Sequence, residues 1–266
     1  MNEAEDASDI FDTSLSTLFA IPPIAISTSS PDELYTYNPP PGSRFRESVR
    51  LRFPDPPPSL YNTLQANHLW LSGIYLADLV CLDQIDVRGT RLAELGAGAG
   101  LPGIVACRQR ATVVSSDWGA TEILDVIRDN FRRACKDGKW EVVGHQWGTD
   151  AFPSLNALDS TGKFDILILA DTLWATAAHS ALLDSIFALL RPGGTGHVTA
   201  GLHTGRGPLE RFIASAISRG AAITRIREVR WRSDGGWDEY HASTKTLEEE
   251  RGVVVYFTLQ ITHPIN

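Results

Sequence analysis

Apolar and polar positions divide the chain into a quiet beginning and a strongly rhythmic remainder. Residues 1–32 are acidic, rich in Ser and Thr and without sustained periodicity, which predicts a disordered or loosely docked arm. Residues 33–66 read as an N-terminal extension: Tyr35–Tyr37 and Ser48–Arg52 as short strands around the turn Pro39-Pro40-Pro41-Gly42, then an extended linker through Pro54–Pro58. From about Asn67 the spacing of Leu69, Ala77 and Val80 predicts a helix.

Short apolar runs then recur at 91–95, 111–115, 141–144, 164–170, 196–201, 221–231 and 252–262. Helical patterns separate the earlier ones. One covers Thr121 to about Ala134, with Ile123, Ile127, Phe131 and Ala134 on a stripe; another has Pro208 in its first turn and carries Leu209, Phe212, Ile213, Ala216 and Ile217, with Gly220 just past its end. This rhythm predicts an α/β domain over residues 67–266, a mainly parallel seven-stranded sheet with helices on both faces. Between the last two runs lies a polar loop, 232–250, without a convincing helix, so they are expected to form a final antiparallel hairpin.

Composition changes the picture only locally. Of the formal charge of −8, seven acids fall within residues 1–43, which hold no Lys or Arg, and the remainder carries 25 acids against 24 bases. A folded part so close to neutral argues against nucleic-acid binding. Cys81, Cys107 and Cys135 form no CxxC pair, and the seven histidines are dispersed, so neither a disulfide framework nor a metal site is predicted. With an acidic beginning and no apolar stretch of about 20 residues, the expectation is a cytoplasmic, monomeric protein without a membrane segment, the nucleus left open.

The chemistry begins where the run Arg91-Leu92-Ala93-Glu94-Leu95 meets Gly96, Gly98 and Gly100 before Leu101-Pro102 opens a helix. Strand, glycine turn and helix let backbone approach a ligand closely at the C-terminal edge of a parallel sheet. Asp117, 21 residues after Gly96 and at the end of the next strand, is placed to accept hydrogen bonds from ribose hydroxyls. The spacing is not GxGxxG, and Glu94 before the turn would oppose a pyrophosphate while suiting a cationic amino-acid moiety. S-adenosyl-L-methionine has an amine, a sulfonium and no phosphate. A glycine turn used only for packing is the bland alternative.

The run Leu95-Gly96-Ala97-Gly98-Ala99-Gly100-Leu101-Pro102 resembles the first motif of the seven-β-strand methyltransferases of the lysine-methyltransferase-like group. Leu69-Trp70, Gly73, Tyr75 and Ala77-Asp78 upstream resemble the nicotinamide N-methyltransferase-like family, whose members include elongation factor 1-alpha N-terminal and lysine methyltransferases. Gln146-Trp147-Gly148 and Ile168-Leu169-Ala170-Asp171-Thr172-Leu173-Trp174 follow in the family's order, so the likeness covers roughly residues 60–262. It departs at Leu64-Gln65-Ala66, where the family often has a second Trp-Gly, at Asp117-Trp118-Gly119-Ala120, which lacks a second acid, and at Ala175-Thr176, where Asn-His is common.

The resemblance implies a Rossmann-like fold and a methyltransferase using S-adenosyl-L-methionine. Cofactor contacts are expected from Trp70, Glu94, Gly96, Gly98, Gly100, Asp117, Trp118, Trp147 and Ala170, with Trp147 stacked on adenine, and the methyl acceptor is expected against Asp171 and Trp174. For Trp147 and Trp70 the alternative is core packing; for His203, on the same sheet edge, it is a structural role. The acceptor that the resemblance implies is a protein amine, a lysine or an N-terminus, with elongation factor 1-alpha the protein it points to. A small-molecule N- or O-methyltransferase, a catalytically silent binding module and, against the glycine spacing, a nicotinamide-dependent oxidoreductase are the other readings.

Overall fold

The computed structural model describes residues 23–30, 32–56, 64–149, 163–241 and 250–262; most of the acidic arm, Pro57 and Pro58 of the linker, and residues 242–249 of the last loop lie outside them. Two short pairs precede the main sheet. β1 (Ala25–Ile26) pairs antiparallel with β4 (Leu69–Trp70), and β2 (Tyr35–Tyr37) with β3 (Val49–Leu51). Part of the arm is therefore docked, through backbone pairing that its composition did not announce.

The expected helix starts later than Asn67. α1 spans Leu71–Cys81, because residues 69–70 are committed to β1. It is buried on all sides rather than along one stripe, packed between the sheet, the neighbouring helix and the β2–β3 pair. Its one acid, Asp78, accepts hydrogen bonds from the Tyr37 hydroxyl (2.5 Å) and the Trp237 indole N–H (2.8 Å).

Strands and helices then alternate: β5 (Arg91–Leu95), α2 (Leu101–Arg108), β6 (Thr112–Asp117), α3 (Thr121–Ala134), β7 (Lys139–Gly144), β8 (Phe164–Ala170), α4 (His179–Leu189), β9 (Leu190–Gly201), α5 (Arg206–Ser218) and β10 (Ala221–Trp231). β11 (Trp237–Glu239) and β12 (Val253–Ile261) complete the main sheet, in the order β11-β10-β12-β9-β8-β5-β6-β7. β5 to β9 pair parallel; β12 runs antiparallel between β9 and β10. The seven predicted strands are all present, and β11, in the stretch read as polar loop, adds a short eighth at the edge. Trp237 explains it: the indole packs on Tyr75 and Trp231 as well as bonding Asp78.

Each sheet face is covered, and strand alternation sorts the residues between them. Leu92, Val113, Ile166 and Ile168 pack with α1, α2 and α3, whereas Ala93, Leu95, Val114, Leu167 and Leu169 pack with α4 and α5. On α5, Leu209, Phe212 and Ala216 are buried as the stripe predicts, but Ile217 is exposed. The chain order reverses between β5 and β8, β6 and β7 lying to one side and β9 to the other. That is the switch point at which open α/β sheets bind ligands, beyond the carboxyl ends of the strands.

Candidate active site

A cavity of about 660 Å³ opens at that switch point, within the roughly 300–1,000 Å³ usual for small-molecule sites. Trp70, Gly96, Gly98, Asp117, Trp118, Trp147, Ala170, Asp171 and Trp174 line it; Glu94 and Gly100 do not.

The glycine loop after β5 does three different things. Gly96 has φ +71°, and a Cβ there would lie 2.8 Å from the Thr172 methyl and 3.2 Å from the Trp147 ring. Gly98, at φ +55°, faces open space, so the backbone is bare toward the cavity. At Gly100, φ +78°, a Cβ would press on Phe131 and Ile127; this glycine seats α3 against the loop and meets no ligand space.

Glu94 departs from the expectation for a physical reason. It shares a sheet face with Leu92 and points toward α2, where its carboxylate accepts hydrogen bonds from the Gly103 N–H (3.1 Å) and the Ser115 hydroxyl (2.6 Å). Burial pushes its pKa up to about 7, against the lowering effect of those two donors. It ties β5, β6 and α2 together beneath the loop and does not line the cavity.

Asp117 keeps its place in the cavity. One carboxylate oxygen accepts from the Gly98 N–H and the other from the Trp118 N–H, both at 2.7 Å. Each oxygen retains a lone pair for a further donor. Burial raises its pKa, and the two N–H groups act in the opposite sense. Trp147 is half-buried and Trp118 is 40% exposed at the rim, giving two flat apolar surfaces on the same side. Beyond them His145, buried, lies 2.9 Å from the Ser185 hydroxyl, whose oxygen also accepts the Gly148 N–H; burial lowers the imidazole pKa.

The opposite end is acidic and aromatic. Asp171 follows β8 with φ +55°, a strained conformation for a residue other than glycine. Its N–H donates to the Thr199 carbonyl (2.8 Å), and Oδ1 accepts from the Gly201 N–H (3.1 Å). Burial raises its pKa, while the charge of His203 and the Gly201 N–H pull it down. Trp174 forms a wall beside it, and Trp70, expected from the sequence among the cofactor contacts, lines the cavity as well. Trp70 is fixed by pairing with Ala25, by its indole N–H to the Gln65 carbonyl (3.0 Å), and by His203 stacked on its ring.

Sequence reasoning missed Thr172 and His145. The Thr172 hydroxyl is buried with no partner in the structure while the residue lines the cavity. Nothing in its type gave it away, only its place between Asp171 and Trp174. Ala175, Ala177, Ala178 and Ala181 keep this end roomy. Trp237, by contrast, is absorbed by α1 and does not reach the cavity.

An orphaned hydroxyl, a bare glycine backbone and a carboxylate with free acceptor positions fit a nucleoside carrying an amino-acid arm. Among known proteins, the profile of a family described as lysine methyltransferase matches residues 61–215. A protein N-terminal and lysine N-methyltransferase of Schizosaccharomyces pombe is 34% identical over 128 residues, covering 47% of this chain and 50% of that protein. One with the same description from Gibberella zeae is 32% identical over 141 residues, 48% of this chain and 53% of that one. The chain thus spans about half the length of these relatives. In fold it is similar to a TehB-like S-adenosylmethionine-dependent methyltransferase of Corynebacterium glutamicum (TM-score 0.50, 17% identity, 77% of this chain and 95% of that one). It is also similar to a branched-chain polyamine synthase mutein of Thermus thermophilus (TM-score 0.52, 16% identity, 73% of this chain and 56% of that one).

Proposed function

The chain belongs to the lysine methyltransferase family, and from that membership we propose that its cavity binds S-adenosyl-L-methionine and methylates a protein amine, a lysine or an N-terminus. The observation that carries this reading is one cavity lined by Gly98 and Asp117 at one end and by Asp171 with Trp70 and Trp174 at the other.

When bound, S-adenosyl-L-methionine supplies an electrophilic methyl carbon on a positively charged sulfur. Asp117 would take the ribose hydroxyls on its remaining lone pairs, Gly98 would allow close backbone approach, and Trp147 would stack on the purine. Gly96 and Ala170 shape the floor, Trp118 the rim and Thr172 offers its unpaired hydroxyl. Asp171 attracts an acceptor ammonium and receives its proton, so that the neutral amine is presented; a carboxylate with a raised pKa is the better base for that step. The indole walls exclude water and fix the line of approach, which is most of what a displacement of this kind asks of a protein.

The experiment is to incubate the protein with methyl-labelled S-adenosyl-L-methionine and a cell extract, then analyse intact proteins and small molecules separately. Label on a protein amine is expected, with elongation factor 1-alpha, to which the sequence resemblance points, the first acceptor to try. Label confined to small molecules would replace this reading with the small-molecule one, and no label anywhere would leave a silent binding module.

A further inference from the structure

Gly201 is a glycine whose backbone does not need one. Its φ of −74° and ψ of 141° are ordinary for any residue, and alanine there would lose less conformational freedom on folding. What excludes a side chain is space: a Cβ would lie 2.7 Å from Nδ1 of His203 and 3.4 Å from Oδ2 of Asp171. The missing side chain lets these two groups approach each other.

His203 sits on the short turn Leu202–Thr204 after β9, its side chain 12% exposed. Nδ1 is 3.9 Å from Oδ2 of Asp171, and the ring stacks on Trp70 at 4.7 Å between centroids and 22° between planes. It lines no part of the cavity itself, yet touches one residue from each side of the acidic end. Asp171 Oδ1 is held by the Gly201 N–H, and Oδ2 is the oxygen that faces His203.

We propose that His203 is a positioning residue for the acceptor, wedged between Asp171 and Trp70 so that carboxylate and indole keep one relative placement at the acidic end of the cavity, with Gly201 left bare to admit it. This rests on the reading that a protein amine is methylated there. The imidazole packs beside Oδ2, 3.9 Å away, on one side and stacks on the indole face on the other. Neither contact involves Gly98 or Asp117, so cofactor affinity is expected to depend on it far less than acceptor turnover does.

Three variants test this: His203→Ala, His203→Gln and Gly201→Ala, the last of which keeps the imidazole but displaces it. His203→Ala and Gly201→Ala are expected to lower kcat/KM for the acceptor by about tenfold or more while the calorimetric Kd for S-adenosyl-L-methionine changes by less than about twofold. His203→Gln, which keeps a polar side chain of similar reach beside Asp171, should recover part of the loss. A second readout needs no acceptor: the indole N–H resonance of Trp70 in cofactor-free protein, assigned through Trp70→Phe, should shift in both His203→Ala and Gly201→Ala. If neither variant moves that resonance, His203 positions nothing. If the resonance moves but acceptor kinetics are unchanged, the role in transfer is overturned. Should the wild type methylate no protein amine at all, the underlying reading fails while the resonance still reports on the wedge.

Discussion

At Asp171 a buried carboxylate, a left-handed backbone and an indole wall coincide, and the proposed proton transfer depends on its charge. Asp171→Asn keeps the shape and removes the base; turnover is expected to fall by about 10²-fold or more with cofactor affinity unchanged, as read by initial rates and calorimetry. Glu94 makes the opposite kind of statement. Its pKa in the fold, about 7, lies above its ordinary value of 4.5, so its proton is bound more tightly in the folded state. The associated stability is present in full below pH 4.5 and lost as pH rises through 7, by roughly 3 kcal/mol. Glu94→Gln can still accept from Gly103 and donate to the Ser115 oxygen, so it should fold and show a flatter dependence of urea stability on pH over that window. The sequence made Asp171 and Asp117 legible because a carboxylate ending an apolar strand needs a reason. Glu94 lies off the cavity because its side chain turns toward α2, where the Gly103 N–H and the Ser115 hydroxyl hold it, and nothing in the residue run announces those partners.

Among the elements, the loop between β5 and α2 separates glycines that look alike in sequence. Gly98→Ala should cost roughly 1–2 kcal/mol in backbone strain and weaken cofactor binding, since its Cβ enters open cavity. Gly100→Ala adds contacts at 3.1 Å to Phe131 and 3.3 Å to Ile127, so urea denaturation should show a larger loss, about 2–4 kcal/mol. At the far edge, Trp237→Phe removes a donor from the buried Asp78 carboxylate and should cost about 1–3 kcal/mol in the same measurement. The parallel strands were legible from apolar runs because both faces are covered. β1, β4 and β11 were not, since their two or three residues are held by long-range partners, Ala25 on Trp70 and Trp237 on Asp78, that leave no periodicity.

For the whole molecule, loops from β5, β6, β7 and β8 converge at the switch point, and β1 reaches across from the N-terminal side to hold Trp70. None of the described helices is long and apolar enough to cross a membrane. Whether this cavity recognises a nucleoside with a sulfonium arm is decided by titration calorimetry of wild type and Asp117→Ala with S-adenosyl-L-methionine and with NAD. Saturable binding of S-adenosyl-L-methionine is expected, weakened about tenfold or more by Asp117→Ala, with NAD giving no comparable heat. Binding of NAD in preference, or S-adenosyl-L-methionine affinity indifferent to Asp117, would contradict it.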